Sequence, residues 1–188
     1  MKTKLKLLRV SDLENIDADV LDLSDEHLAD FDTFWLPRLK DSEEEEDSHW
    51  DWRKKSLVLS TVNYEKYALE CEDITQGLMI LEIDCHRSRV ESGKSLVYVD
   101  YLATAPWNRP SIQDPPMYRG VGTAFLMFAI KRSFDLEYKG RIGLHALPLA
   151  EKFYKKIGLV GFGADTEKQG LSYFELSANE SLKIINIK

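Results

Sequence analysis

Cysteine is scarce in this chain: Cys71 and Cys85 are the only two in 188 residues. Two thiols make no disulfide framework, and both fall in strand-like stretches, which predicts buried, reduced side chains in a cytoplasmic protein. Long apolar runs are missing too. Nothing approaches the roughly 20 residues that cross a bilayer, so no membrane association is expected. Behind the basic start, Met1-Lys2-Thr3-Lys4-Leu5-Lys6, no apolar stretch leads to a small-residue cleavage site, and no secretory signal is expected. Positive charge is short: 25 Lys and Arg against 32 Asp and Glu leave a formal net charge of −7. Nucleic acid needs clustered cations and is disfavoured as a partner, whereas a cationic small molecule or a basic peptide is compatible. His86 beside Cys85 has no second ligand pair at zinc-like spacing, so no metal is expected. Internal repeats and linkers are absent.

What is present suits one folded unit. With 44% hydrophobic and 30% charged residues, the chain can bury a substantial core under a polar surface. Its length fits a single domain, 1–188. Lys4–Val10 alternates as a first strand. Ser11–Leu23 reads as a helix with Ser11 and Asp12 as caps, and Ser24-Asp25 offers another cap. Leu28, Phe31, Trp35 and Leu39 recur at helical spacing, with Pro37 predicting a kink or an early end. The acidic run 41–47 is either a solvated loop or helical turn, or a rim that attracts a cationic substrate. Ser48–Val62, with Trp50, Leu57 and Val58, predicts a helix over the sheet. Trp50 and Trp52 serve either core packing or a dimer contact, leaving monomer and homodimer open.

Strands are expected over Tyr64–Glu72 and Gly77–Asp84 around a turn at Asp73-Ile74-Thr75-Gln76, then over Ser95–Thr104. The 107–117 loop, rich in proline, is long for a strand-to-helix connection; it is a gate over substrate or a rigid detour. Gly120–Leu136 is the strongest helix pattern. Arg141–Leu144 reads as a short strand, Pro148 opens a helix that Gly158 stops, and Leu159–Phe162 and Leu171–Leu176 close the pattern as strands. The order predicts a mixed α/β (α+β) domain.

The most informative stretch is Tyr118-Arg119-Gly120-Val121-Gly122-Thr123-Ala124, where a loop becomes a helix. The first amides of a helix lack intrahelical partners and carry the positive end of its dipole, which suits a pyrophosphate. Glycine lets the main chain bend and approach a ligand closely. No Lys-Ser or Lys-Thr follows Gly122, which excludes a triphosphate P-loop, and the context of a dinucleotide fingerprint is missing.

Together with Tyr101-Leu102-Ala103-Thr104-Ala105-Pro106 before it and Ala150-Glu151-Lys152-Phe153-Tyr154-Lys155-Lys156-Ile157-Gly158-Leu159 after it, this stretch resembles the GNAT superfamily of acyl-CoA-dependent N-acyltransferases. The resemblance covers roughly Tyr98 to Leu159. It implies a mostly antiparallel sheet of six to seven strands, splayed in the middle and flanked by helices on both faces. It also implies acetyl-CoA lying near Leu102–Thr104 and Arg141–Leu144, with no metal. The main chain of Leu102, Ala103 and Thr104 would pair with the pantetheine arm. Amides of Arg119, Gly120, Val121, Gly122, Thr123 and Ala124 would hold the pyrophosphate, with Phe153 beside the cofactor and Tyr154 as general acid for the departing thiolate. Two departures stand out: Leu147 occupies a position where the family often has asparagine, and the loop from Pro106 to Tyr118 is longer than usual.

Alternation places Tyr98, Asp100 and Leu102 on one strand face. Asp100, in a mostly apolar run, either works on an amine or forms a salt bridge to a nearby Lys or Arg. Work on the amine means drawing its proton directly or through water, or holding the ammonium. Glu82 and Asp84 are weaker candidates of the same type, and His145 either touches the acceptor or is a polar strand-end residue. The expected activity moves the acetyl group of acetyl-CoA to a primary amine, a small cationic amine or a peptide amino group, by direct transfer in a ternary complex. Rivals are a catalytically silent CoA-binding sensor or interaction module, and a toxin-like enzyme acting on aminoacyl-tRNA, against which the −7 charge counts.

Overall fold

The computed structural model describes residues 2–42 and 44–186. Its strands are β1 (Thr3–Arg9), β2 (Asn15–Asp22), β3 (Tyr64–Cys71), β4 (Ile74–Glu82), β5 (Val97–Thr104), β6 (Tyr118–Arg119), β7 (Ile142–Ala146), β8 (Val160–Asp165) and β9 (Leu171–Leu176). The helices are α1 (Asp25–Asp30), α2 (Leu36–Lys40), α3 (Trp52–Val58), α4 (Val121–Asp135), α5 (Glu151–Ile157) and α6 (Ala178–Asn186). Among the described residues, nine strands make one mostly antiparallel sheet, flanked by helices, in the order β6-β1-β2-β3-β4-β5-β7-β9-β8. The fold class is as expected, with more strands than the six to seven foreseen. The β5–β7 pair is parallel, and its ladder runs only from Val97↔Ile142 to Val99↔Leu144, five residues short of the end of β5. No helix among the described residues is long and apolar enough to cross a membrane.

The strand β2 replaces the helix expected over Ser11–Leu23. Asp12 caps a turn instead: its carboxylate accepts the Glu14 amide at 3.1 Å and the Arg9 guanidinium at 2.7 and 3.0 Å. Beyond it Ala18 and Val20 point inward while Asp17 stays exposed, a period of two that the acidic composition hides. Between β3 and β4 the turn is Glu72-Asp73, not Asp73–Gln76. Both residues have positive φ, 52° and 58°, as the tight hairpin turn that matches strand twist requires.

Contacts divide the chain into two compact units. The first comprises Met1–Ile80 and Tyr101–Leu126. Its core gathers Leu28, Phe31, Trp35 and Leu39, the four residues at helical spacing, around Trp52, Leu78, Ile80 and Trp107. Pro37 does not end that helix early: it lies in the first turn of α2, where a missing N–H is harmless, just after a π-helical turn over Phe31–Trp35. Helix α3 is shorter than expected because Asp51 caps it, accepting the Lys54 amide at 2.9 Å. Leu57 and Val58, expected over the sheet, are exposed, and Trp52 takes the inward position. Trp50 meets Tyr101 edge-on at 4.9 Å, so both tryptophans pack into this core.

Gly77 sets how closely α4 approaches β4. A Cβ there would lie 2.4 Å from a ring carbon of Phe125 and 2.9 Å from Cγ1 of Val121. Phe125 is fully buried and has nowhere to swing. Gly77→Ala is therefore expected to destabilise by about 1–3 kcal/mol, the usual range for overpacking. A lowered denaturant midpoint at unchanged slope would report it; a midpoint equal to the parent's would mean that α4 can retreat freely.

The second unit comprises Leu81–Asp100 and Met127–Lys188. Gly158, with φ 105°, stops α5 as foreseen. Helix α6 was not foreseen. Its first amide, of Ala178, donates to Glu91 at 2.9 Å, and Ser181 donates to the Gly140 carbonyl at 2.6 Å. Cys71 is buried in β3 as expected, but Cys85 is exposed beyond the end of β4.

Candidate functional site

In the first unit the chain leaves β6, bends at Gly120 and enters α4. Gly120 has φ 100°, a conformation that disfavours any side chain. Space is not the constraint there, since a Cβ would meet only Leu7 at 3.9 Å. The Gly120 carbonyl accepts the Ala124 amide at 2.8 Å, which makes it the first carbonyl of the helix. The amides of Val121, Gly122 and Thr123 precede that bond and have no acceptor within the helix. Val121, Ala124, Phe125 and Leu126 are buried and lock the helix in place, whereas Arg119 and Thr123 are exposed. Gly122 is helical with ordinary φ, so only the first glycine supplies the bend.

The approach to this bend is braced. Residues 105–117 carry a short 3-10 turn, Pro106–Asn108, whose Trp107 Nε1 donates to Gln76 Oε1 at 2.8 Å. Asn108 adds a second bond to the same oxygen at 3.0 Å, and its own Oδ1 accepts the Tyr118 amide at 2.9 Å. Arg109 is the keystone. Its Nε donates to the Thr104 carbonyl at 2.9 Å, and its fork meets Asp47 at 2.6 and 2.8 Å while also reaching Glu45. Burial opposes the Arg109 charge, but Asp47 and then Glu45 outweigh it and raise the guanidinium above its ordinary range. The acidic run divides over its described residues: Asp41 and Glu44 stay exposed, as a solvated loop would have them, whereas Asp47 and Glu45 fold inward onto Arg109, with side chains 7% and 9% exposed. Glu43 lies outside the described residues. Of the two readings of the 107–117 loop, these bonds support the rigid one. Tyr118 is tied in turn to Glu72, which also takes Arg9 at 2.6 Å.

Leu102, Ala103 and Thr104 lie on β5 as expected, with Ala103 buried and the other two half-buried. The Thr104 carbonyl already accepts Arg109.

In the second unit Tyr154 sits on α5, 7% exposed, with Phe153 at 5.2 Å and Phe174 at 6.1 Å between ring centres. Burial alone pushes its phenol up to about 12. It therefore stays protonated at neutral pH, as a proton donor must. Asp100 is half-buried on β5, two residues from Tyr98. Glu82 is engaged with His86 at 2.7 Å, and Asp84 lies exposed in a turn, accepting Tyr138. The Tyr98 hydroxyl meets Nδ1 of His145 at 2.7 Å, and Nε2 of the same ring meets Asp165 at 3.2 Å. Arg89 holds that carboxylate at 2.8 Å, and Arg89 and His145 keep it below the usual range.

No protein-family model matches the sequence, and no curated protein does either. Solved structures do match. The chain is similar to spermidine N-acetyltransferase from Vibrio cholerae in complex with CoA and spermine: 16% identity, 88% of this chain, 98% of that one, TM-score 0.56. It is similar to the Bacillus subtilis N-acetyltransferase YlbP in complex with coenzyme A, at 16% identity, 86% and 97% coverage and TM-score 0.53. The fold is of GNAT type. FeeM, an N-acyl amino acid synthase from uncultured soil microbes, shares it at 11% identity, 96% and 93% coverage and TM-score 0.60.

Within this GNAT-type fold the expected residues fall into two groups, each complete in its own unit. Leu102–Thr104 and Arg119–Ala124 belong to the first; Asp100, Phe153 and Tyr154 belong to the second. Sequence reading missed Arg109 and Gln76, whose partners lie 62 and 31 positions away. It also missed the Tyr98–His145–Asp165 chain. The available signal was a histidine on a strand next to an otherwise apolar run, Ile142–Leu144; nothing in sequence pairs it with Asp165.

Proposed function

We propose that this chain is a single-domain N-acetyltransferase that moves the acetyl group of acetyl-CoA to a primary amine by direct transfer in a ternary complex. The Gly120 bend, with amides that have no acceptor within the helix at the head of α4, is the observation that most supports it. Those amides fit a pyrophosphate, and the main chain of Leu102 and Ala103 suits a pantetheine arm. Bound acetyl-CoA supplies an activated thioester. Tyr154, neutral and buried, gives its proton to the thiolate as that group departs, with Phe153 beside the cofactor. Asp100 holds the acceptor as an ammonium ion. Neighbours of this fold crystallised with CoA, one of them with spermine, together with the −7 charge, support a small cationic amine or a peptide amino terminus as acceptor. The reaction needs no metal and suits the cytoplasm.

Calorimetry with CoA and acetyl-CoA, followed by free-thiol release over a panel of polyamines and peptide amino termini, tests this. The expected result is heat with both forms of the coenzyme and one thiol released per acetylated amine. Binding without turnover on any amine would favour a CoA sensor instead, and no heat at all would end both readings.

A further inference from the structure

The acetyl-transfer reading leaves one step without an agent. An alkylammonium titrates near 10, so an acceptor held at Asp100 as an ammonium ion must lose a proton before it can attack. A neutral imidazole offers a lone pair that can take that proton.

The second unit holds such a ring in a defined state. Asp165, ionised and gripped by Arg89, can only accept, so Nε2 of His145 carries the hydrogen between them. In the neutral ring Nδ1 then presents its lone pair to the Tyr98 hydroxyl, 2.7 Å away. Burial holds His145 below its ordinary range although Asp165 pulls the other way. Other charges face the pair: Lys168 lies 5.6 Å over the Tyr98 ring, and Arg89 lies 4.2 Å over Tyr173, whose ring is 5.0 Å from His145. Both cations favour the neutral imidazole. His86, bonded to Glu82, stacks on Tyr98 at 4.0 Å and covers it from outside. Packing does not require this arrangement, because Leu96, Tyr98 and Tyr173 already make the apolar cluster here.

We propose that Tyr98, His145 and Asp165 form a proton relay that deprotonates the acceptor ammonium. This rests on the acetyl-transfer reading. Tyr98 is 2% exposed, and in this relay the acceptor's proton is passed to its hydroxyl by one water. An N–H bond of the ammonium breaks, the water passes a proton to the Tyr98 oxygen, and the Tyr98 hydrogen moves to Nδ1. The acceptor is left a neutral amine and His145 an imidazolium facing the Asp165 carboxylate. Loss of the extra proton to solvent resets the ring. Asp165 is a positioning residue: it fixes the tautomer and balances the charge.

The test is the pH profile of kcat/KM on the best acceptor of the panel, for the parent, Tyr98→Phe, His145→Gln and Asp165→Asn, with nitrogen NMR of the His145 ring. Activity should fall below the His145 pKa, because the imidazolium cannot accept. His145→Gln should lose about 10²-fold or more together with that acidic limb, and Tyr98→Phe should lose a similar factor with its packing intact. Asp165→Asn should move the limb to lower pH, since the imidazolium loses its counter-charge. In the parent, NMR should find the hydrogen on Nε2. A parent that turns over while His145→Gln keeps the acidic limb, or loses rate evenly at every pH, overturns the relay alone. Hydrogen on Nδ1 does the same. A parent with no turnover on any amine sinks the acetyl-transfer reading, and the relay's role with it.

Discussion

Arg109→Met is expected to lower stability by about 3–5 kcal/mol, the usual penalty for leaving a buried charge unpaired. In a chain of this length that corresponds to roughly 6–20 °C in melting temperature. One guanidinium, 11% exposed, faces two carboxylates that are still less exposed. Its removal leaves Asp47 and Glu45 next to each other with no cation, apart from the bond that Ser111 gives Glu45. The Thr104 carbonyl also loses its donor. Arg109→Lys should recover only part of the loss, because an ammonium cannot reproduce the two-pronged contact with Asp47. Adding Asp47→Asn and Glu45→Gln to Arg109→Met should restore stability, since the unpaired charge is then gone. Thermal unfolding of the four proteins decides the matter: an Arg109→Met protein within 1 kcal/mol of the parent would mean that water reaches the carboxylates. A functional consequence follows. The brace ends at Tyr118, two residues before Gly120, so coenzyme affinity should fall along with stability in Arg109→Met and return with it in the triple variant.

The parts of the fold that were legible in sequence are those written locally. Helix α4 has its buried stripe, Gly158 its left-handed stop, and β4 and β5 their apolar runs. The bend at Gly120 was legible because glycine is the residue that tolerates φ near 100°. The failures share a different cause. Strand β2 alternates acidic with apolar residues and was obscured by two good capping residues that serve a turn. Cross-strand ion pairs, Lys6 to Asp17 at 2.5 Å and Lys2 to Asp19 at 2.9 Å, let the acidic strand sit beside β1. Helix α6 draws its anchors from Glu91 and Gly140, 87 and 41 positions away. Asp47 and Glu45 in the acidic run read as solvent-exposed like Asp41 and Glu44 until their partner is known, and that partner is one arginine, 62 residues beyond Asp47. The same holds for His145: a strand-end histidine is unremarkable until Tyr98 and Asp165 are seen on its two nitrogens. Local chemistry announces bends, stops and stripes. Pairing across the sheet, which decides which charges are buried and which rings are tuned, is set by topology.

Tyr154→Phe is expected to reduce kcat by about 10²–10⁴-fold, the range for a lost general acid or base, with coenzyme affinity and folding nearly unchanged. The ring lies between Phe153 and Phe174 and is almost wholly buried, so phenylalanine keeps the aromatic contacts and removes only a hydroxyl. Burial holds that hydroxyl at about 12, so the parent should show no loss of kcat from this group between pH 7 and 10. The requirement for an acid depends on the leaving group. A simple alkyl thiolate is basic and gains much from protonation as it departs, whereas an aromatic thiolate with electron-withdrawing groups leaves unaided. Acetyl transfer from an activated aryl thioester, measured beside acetyl-CoA, therefore separates the roles. If Tyr154 delivers the proton, Tyr154→Phe should be strongly impaired with acetyl-CoA and close to the parent in kcat with the activated donor. Equal impairment with both donors would assign the tyrosine to placement of the thioester. Parent-like kcat with acetyl-CoA would remove it from the chemistry altogether and leave it as a core ring of the second unit.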